Sequence, residues 1–220
     1  MKVLYLSHFY DNKTPSYGGK DSLVVTTKTS IKNGNTSNTV SINFSNNHLG
    51  THVDFPKHFF NNGLTITDVN PEYWFFNEVV LIDVINRNNK QIEIEDIDLT
   101  KINEKVDFLI LRTGLEKYRG SIKYIKDYTS LSPQLCFFLK KKYKKLRGIG
   151  FDFISLSSPK FKEEGKITHK IFLDNSNNDF ICIVEDMKLK EIELEIEKLI
   201  ISPLLIKNGD GSPVSIFAIV

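Results

Sequence analysis

The pattern of apolar and polar positions divides the chain into short segments. Residues 79–85 (VVLIDVI) and 106–111 (VDFLIL) are apolar at odd and even positions alike. An extended segment of that kind has no solvent face, which predicts two buried strands. A helix is predicted from Ser132, whose hydroxyl can accept from a free amide of the first turn; Pro133 loses nothing at the first helical position. Leu135, Phe138, Leu139 and Leu146 then recur at helical spacing. Residues 148–155 read as a strand entering a loop, 165–173 as a short helix, and 180–184 as a strand ending at Glu185. The tail, 192–220, alternates and holds Pro203, Gly209, Gly211 and Pro213, which predicts two strands joined by a turn. Residues 10–50 are rich in Asn, Thr, Ser, Gly and Lys, a composition for short strands between polar turns. Strands early and late with helices between them predict a mixed α/β (α+β) fold. No repeat or long linker interrupts the chain, so residues 1–220 are expected to form one domain.

Composition narrows the picture. A chain of 220 residues can bury an ample core without disulfides. Lys plus Arg is 29 and Asp plus Glu is 27, a balance that argues against a dedicated nucleic-acid binder. The run of Lys140, Lys141, Lys142, Lys144 and Lys145 falls at the end of the predicted helix, where the helix dipole favours cations, and reads as a solvated face. Cys136 and Cys182 lack CxxC spacing and lie among bulky apolar residues, as buried free thiols do. Ser7 and His8 break the first apolar run too early for a signal peptide, and no apolar stretch is long enough to span a bilayer. A cytoplasmic protein with neither a membrane nor a nucleic-acid partner is expected.

The histidines carry the chemistry. Three of the five in the chain fall within HLGTHVDFPKH, residues 48–58, with Asp54 among them. Imidazole and carboxylate are the usual protein ligands of zinc and similar divalent ions. His48, His52, Asp54 and His58 all occupy even positions and would share one face of an extended strand. His52 and Asp54 would be roughly 6–7 Å apart along it, close enough to converge on one ion. His48 and His52 would be about 13 Å apart, so the chain must bend between them. Gly50 lies in that gap, and Pro56 interrupts pairing between Asp54 and His58. A helical HxxxH face is disfavoured by Gly50, Thr51, Val53 and Pro56. The predicted site is therefore a bent strand or loop.

HLGTHVDFPKHF resembles the HxGTHxDxPxH signature of the cyclase family, which includes the bacterial metal-dependent kynurenine formamidases (arylformamidases), isatin hydrolases and some putative cyclases. Leu6-Ser7-His8 is similar to the family's opening strand. Residues 14–19 resemble its Pro-x-Tyr-Pro-Gly loop, with Gly18 in place of the proline. Leu111-Arg112-Thr113-Gly114, Gly150-Phe151-Asp152 and Gly209-Asp210-Gly211-Ser212-Pro213 resemble later family segments in the same order.

The resemblance implies a swivelling β/β/α fold and a homodimer or homotetramer. It implies that His48, His52 and Asp54 ligate Zn²⁺ or Mn²⁺, with one or two ions per subunit. His58 is then a ligand of a second ion or the general base. The family's later His and Glu map to His169 and Glu185, whose separation of sixteen residues exceeds the family's usual spacing. The excess falls in residues 174–179, which read as a loop insertion. The activity implied is hydrolysis of a formamide, amide or lactam by metal-activated water, as in an arylformamidase. Alternatives are a cyclase or lactone-forming biosynthetic enzyme on the same fold, or a non-catalytic metal- or ligand-binding homologue. Phe59, Phe60, Tyr73, Trp74, Phe75 and Phe76 follow the motif and would either wall a pocket for a small aromatic amide or serve as core and subunit interface. Ser215 stands where the family often has an arginine, so that anchor for the carboxylate of a kynurenine-pathway substrate would be missing.

Overall fold

The computed structural model describes residues 1–84, 90–177 and 179–220. Eleven strands and three helices are found there: β1 (Val3–Tyr5), β2 (Leu23–Thr29), β3 (Thr39–Phe44), β4 (His52–Asp54), β5 (Phe75–Phe76), β6 (Val79–Asp83), β7 (Phe108–Arg112), α1 (Ile122–Lys126), α2 (Pro133–Lys142), β8 (Gly148–Phe151), α3 (Lys162–Leu173), β9 (Cys182–Glu185), β10 (Lys198–Pro203) and β11 (Gly211–Ile219). Nine strands make one sheet in the order β5-β10-β11-β4-β9-β8-β7-β6, with β1 paired to the far end of β11. β6 to β9 run parallel, with α1 and α2 between β7 and β8 and α3 between β8 and β9, while every pair from β9 through β4 to β5 is antiparallel. β4 lies at the junction of the two halves.

β7 shows why the apolar runs form strands. Its odd residues, Leu109 and Leu111, enter a core shared with α1 to α3; its even residues, Phe108 and Ile110, enter a second core beneath β10 and β11. β6 departs from the expected burial. It is an edge strand, so only Ile82 is fully buried and Asp83 is exposed. Ile85, the last residue of the predicted run, lies outside the described residues.

α2 begins as expected: Ser132 Oγ accepts from the Leu135 amide at 3.2 Å, with Pro133 first in the helix. It stops at Lys142, leaving Leu146 in the turn before β8. Within the lysine run, Lys140 has a local task, donating to the carbonyls of Ile171 and Asp174 at the end of α3, both at 2.9 Å. α3 begins three residues earlier than the predicted 165–173. Residues 174–177 and 179–181 belong to the connection from α3 to β9, a strand that starts two residues later than expected; Asn178 of the expected insertion lies outside the described residues. β2 and β3 form a separate antiparallel hairpin. Cys136 and Cys182 are buried free thiols. Among the described residues, no helix is long and apolar enough to cross a membrane.

Candidate metal centre

The motif bends where a residue without Cβ allows it. Gly50 has φ +60°, in the left-handed region, and turns the chain from His48 into β4. The three residues of β4 are buried between β9 and β11. Side chains alternate, so Val53 enters the core while His52 and Asp54 share the opposite face. Register sets Glu185 of β9 directly beside His52. Pro56 opens a single 3₁₀ turn, Pro56–His58, that carries His58. α3 brings His169 over the same face.

An inner group of four residues results. His52 Nδ1 lies 2.8 Å from the Gly50 carbonyl, and His169 Nδ1 lies 2.6 Å from the Gly165 carbonyl. A carbonyl can only accept, so both Nδ1 atoms carry hydrogen and both Nε2 atoms turn inward. His52 Nε2 is 3.4 Å from Asp54 Oδ1 and from Glu185 Oε2. His169 Nε2 is 3.5 Å from Asp54 Oδ2 and 3.6 Å from Glu185 Oε1. These separations exceed the 2.7–2.9 Å or so of a charge-assisted hydrogen bond. Glu185 is further held by the Leu156 amide, which donates to Oε1 at 2.6 Å.

An outer group adjoins it. His48 Nδ1 is 2.7 Å from Asp54 Oδ1, and His48 Nε2 is 3.0 Å from Asp210 Oδ2. His58 Nδ1 lies 3.0 Å from the same Asp210 oxygen, and its ring stacks on His48 with centroids 4.1 Å apart. Two sets of side chains therefore bring potential ligand atoms within 4.8 Å of one another: His52, Asp54 and Glu185, and His48, Asp54 and His58. Asp54 belongs to both.

The electrostatics suit a cation. Burial works against a charged His48, but Asp54 and Asp210 outweigh it and lift its pKa to about 10. Burial likewise opposes charge on His169, and Asp54 and Glu185 lift it to about 9. His52 is raised by the same contest. Burial also opposes ionisation of Asp54, yet the imidazoles of His58 and His48 hold it well below the usual carboxylate range. Asp210 is held below that range by its bonds to His48 and His58.

The centre floors a cavity of about 260 Å³, with Tyr17 and Asp21 also lining it. Of the six aromatic residues after the motif, only Phe59 lines that cavity, its ring stacked on His169 with centroids 4.6 Å apart. Phe60 packs on the helix-side core. Tyr73, Trp74 and Phe76 belong to the second core, and Phe75 is 50% exposed. The aromatic run is thus mostly structural. All six residues singled out in the sequence, His48, His52, Asp54, His58, His169 and Glu185, line this one cavity. Asp210 is a member the sequence reading missed. It lies 162 residues from His48, in a turn that resembles a family segment but has no ligand spacing. The fifth histidine, His8, stays outside the cavity, where burial lowers its pKa to about 4.

Residues 4–158 match the family described as Putative cyclase. The chain belongs to this cyclase family. Kynurenine formamidase of Bacillus cereus (strain ATCC 10987) is 31% identical over 169 residues, covering 76% of this chain and 73% of that protein. Cyclase-like protein 2 of Oryza sativa subsp. japonica is 26% identical over 224 residues, covering 97% of this chain and 77% of that protein. The structure of isatin hydrolase A from Labrenzia aggregata, bound to benzyl benzoate, superposes with a TM-score of 0.80 at 20% identity, over 99% of this chain and 93% of that one. The mixed α+β fold, with its near-closed sheet, is the one shared by these cyclase, kynurenine-formamidase and isatin-hydrolase relatives. On that fold, this chain carries clusters of His, Asp and Glu able to coordinate a metal ion.

Proposed function

We propose that the protein is a metal-dependent amidohydrolase of the arylformamidase type, cleaving the C–N bond of a formamide, amide or lactam. One observation carries the reading. His52 and His169, each tied at Nδ1 to a backbone carbonyl, turn their Nε2 atoms toward the two carboxylates of Asp54 and Glu185 at 3.4–3.6 Å, so four potential ligand atoms surround one point. Nitrogen and oxygen donors in this mixture suit Zn²⁺ or Mn²⁺. His52, Asp54, His169 and Glu185 would hold one ion, and His48, Asp54 and His58 a second. A divalent ion so held polarises a carbonyl and brings the pKa of water toward neutrality.

The chain's own residues do the rest. The Gly50 and Gly165 carbonyls and the Leu156 amide fix three donors before any ligand arrives. With one ion in the inner group, His58 has Nδ1 held by Asp210 and Nε2 free. That nitrogen takes a proton from the attacking water and returns it to the leaving amine. Phe59 offers a flat apolar wall to a small planar substrate. The Bacillus relative's name supports a formamide, and the isatin hydrolase neighbour supports a lactam. We read residues 1–220 as one domain, acting as a cytoplasmic homodimer or homotetramer; the buried free thiols of Cys136 and Cys182 accord with a reducing compartment.

Elemental analysis of the purified chain, followed by assay against formamides and lactams, tests the reading. Bound zinc or manganese with hydrolysis supports it. His52→Ala and Asp54→Ala should lose ion and turnover together. Wild-type turnover in either variant overturns it.

A further inference from the structure

Asp210 reaches the centre from the turn between β10 and β11, and three features dock that turn against the motif. The Phe55 amide donates to the Asp210 carbonyl at 2.9 Å, and the Ile66 amide to the Gly209 carbonyl at 3.2 Å. Gly211 pairs with Asp54 across the β4–β11 ladder. A Cβ on Gly211 would stand 2.5 Å from His48 Cε1 and 2.7 Å from the Val53 carbonyl oxygen, so the His48 ring lies directly on this backbone. His48 is thereby sandwiched between the turn and the His58 ring. Asn47 Nδ2 donates to Asp210 Oδ1 at 2.8 Å and to the Gly211 carbonyl at 2.9 Å, which leaves Oδ2 for the two imidazoles.

A single oxygen thus faces two rings, His48 at Nε2 and His58 at Nδ1. A carboxylate accepts hydrogen from the nitrogen it faces and so selects the tautomer, as outer carboxylates do for metal-bound histidines. The two rings meet it through opposite nitrogens. His48 Nδ1 also lies 2.7 Å from Asp54 Oδ1, so that ring is held at both nitrogens until an ion would replace the Nδ1 proton; one carboxylate would then leave the two rings as opposite tautomers. We infer that Asp210 is the positioning residue of the outer group: it fixes His48 to offer Nδ1, the nitrogen toward Asp54, and His58 to offer Nε2. It reaches the ion only through these rings. This inference rests on the metal-centre reading proposed above.

The experiment is zinc titration by calorimetry with competing chelators, on wild type, Asp210→Asn, Asp210→Glu and Asn47→Ala, each checked by melting temperature. The ¹⁵N shifts of the zinc-loaded histidines are recorded alongside. Asp210→Asn should weaken one of two zinc sites about 10- to 100-fold, leave the other unchanged and shift the His48 and His58 ring nitrogens. Asp210→Glu should restore part of the loss. Asn47→Ala, which loosens Asp210 without touching either imidazole, should give a smaller loss at the same site. Wild-type affinities at both sites in folded Asp210→Asn, or ring shifts unchanged from wild type, overturn the inference alone. A wild-type chain that takes up no zinc or manganese overturns the metal-centre reading and this inference with it.

Discussion

His52 and Asp54 sit on a central strand laddered on both sides, and His169 sits on a helix of twelve residues. His48 and His58, by contrast, lie on a bend and a single 3₁₀ turn, tied together by a carboxylate from the far end of the chain. The inner side chains are 2–5% exposed; those of His58 and Asp210 are 30% and 36% exposed. Regular elements thus supply a buried set of potential ligands, three of them held by backbone groups. Loops supply an adjustable set, where substrate, solvent and protons can reach. Holding an ion and moving a proton make different demands, and on the proposed reading the two regions would meet them separately.

The sharpest test of that division is Asp54→Ala. Asp54 belongs to both groups, so both ions should be lost and turnover should fall at least about 10³-fold, since an ion contributes several kcal/mol of charge stabilisation. Elemental content and steady-state rates check this. His58→Ala should cost about 10²-fold or more in kcat, as loss of a general acid–base does, while the inner ion stays. If His58→Ala empties the inner group as well, the two regions are not separable.

Proton linkage gives a third test. The raised pKa values of His48 (about 10) and His169 (about 9) mean that their protonation stabilises the folded metal-free chain fully below the unfolded histidine value of 6.5. That contribution is lost as pH climbs through 9 to 10. The depressed carboxyls of Asp54 and Asp210 act the other way, stabilising above the ordinary value of 3.8 and losing effect in acid. The metal-free chain should therefore be most stable between about pH 4 and 6.5 and melt on the order of 5 °C lower by pH 9 to 10. Zinc affinity should rise over the same interval, because ligands must shed protons to bind. Parallel slopes for melting and affinity would contradict the assignment. The smallest effect is a control distant from both regions. Ser132→Ala removes the cap of α2 and should cost about 1 kcal/mol in denaturant melts, with zinc binding unchanged.

The sequence was legible where local rules decide. Ser132-Pro133 marked a helix start, and Gly50 marked the bend that separates His48 from His52. The alternate placing of His52 and Asp54 put both on one strand face. Glu185 was legible locally only as a strand end; the family resemblance, not a local rule, assigned it and His169 to the site, and register places Glu185 beside His52. Asp210 was not legible as part of the centre, because its partners lie more than 150 residues away and a Gly-Asp-Gly turn is ordinary loop chemistry. The burial of β6 was overestimated because a run of apolar residues does not disclose whether a strand is central or at an edge. The aromatic run could not be divided between core and cavity for a related reason: only the packed structure decides that Phe59 covers His169 while Tyr73 and Trp74 pack on Phe55 and Phe76 packs on Phe108.

β4 is hydrogen-bonded along its whole length to β9 and to β11. Its amides can meet deuterium only when the sheet itself comes apart, whereas the bend and turn on either side open at far lower cost. On the metal-centre reading proposed above, backbone exchange at β4 and exchange of a bound ion would keep separate clocks. An ion leaving through the loops would return to a strand that had kept its place.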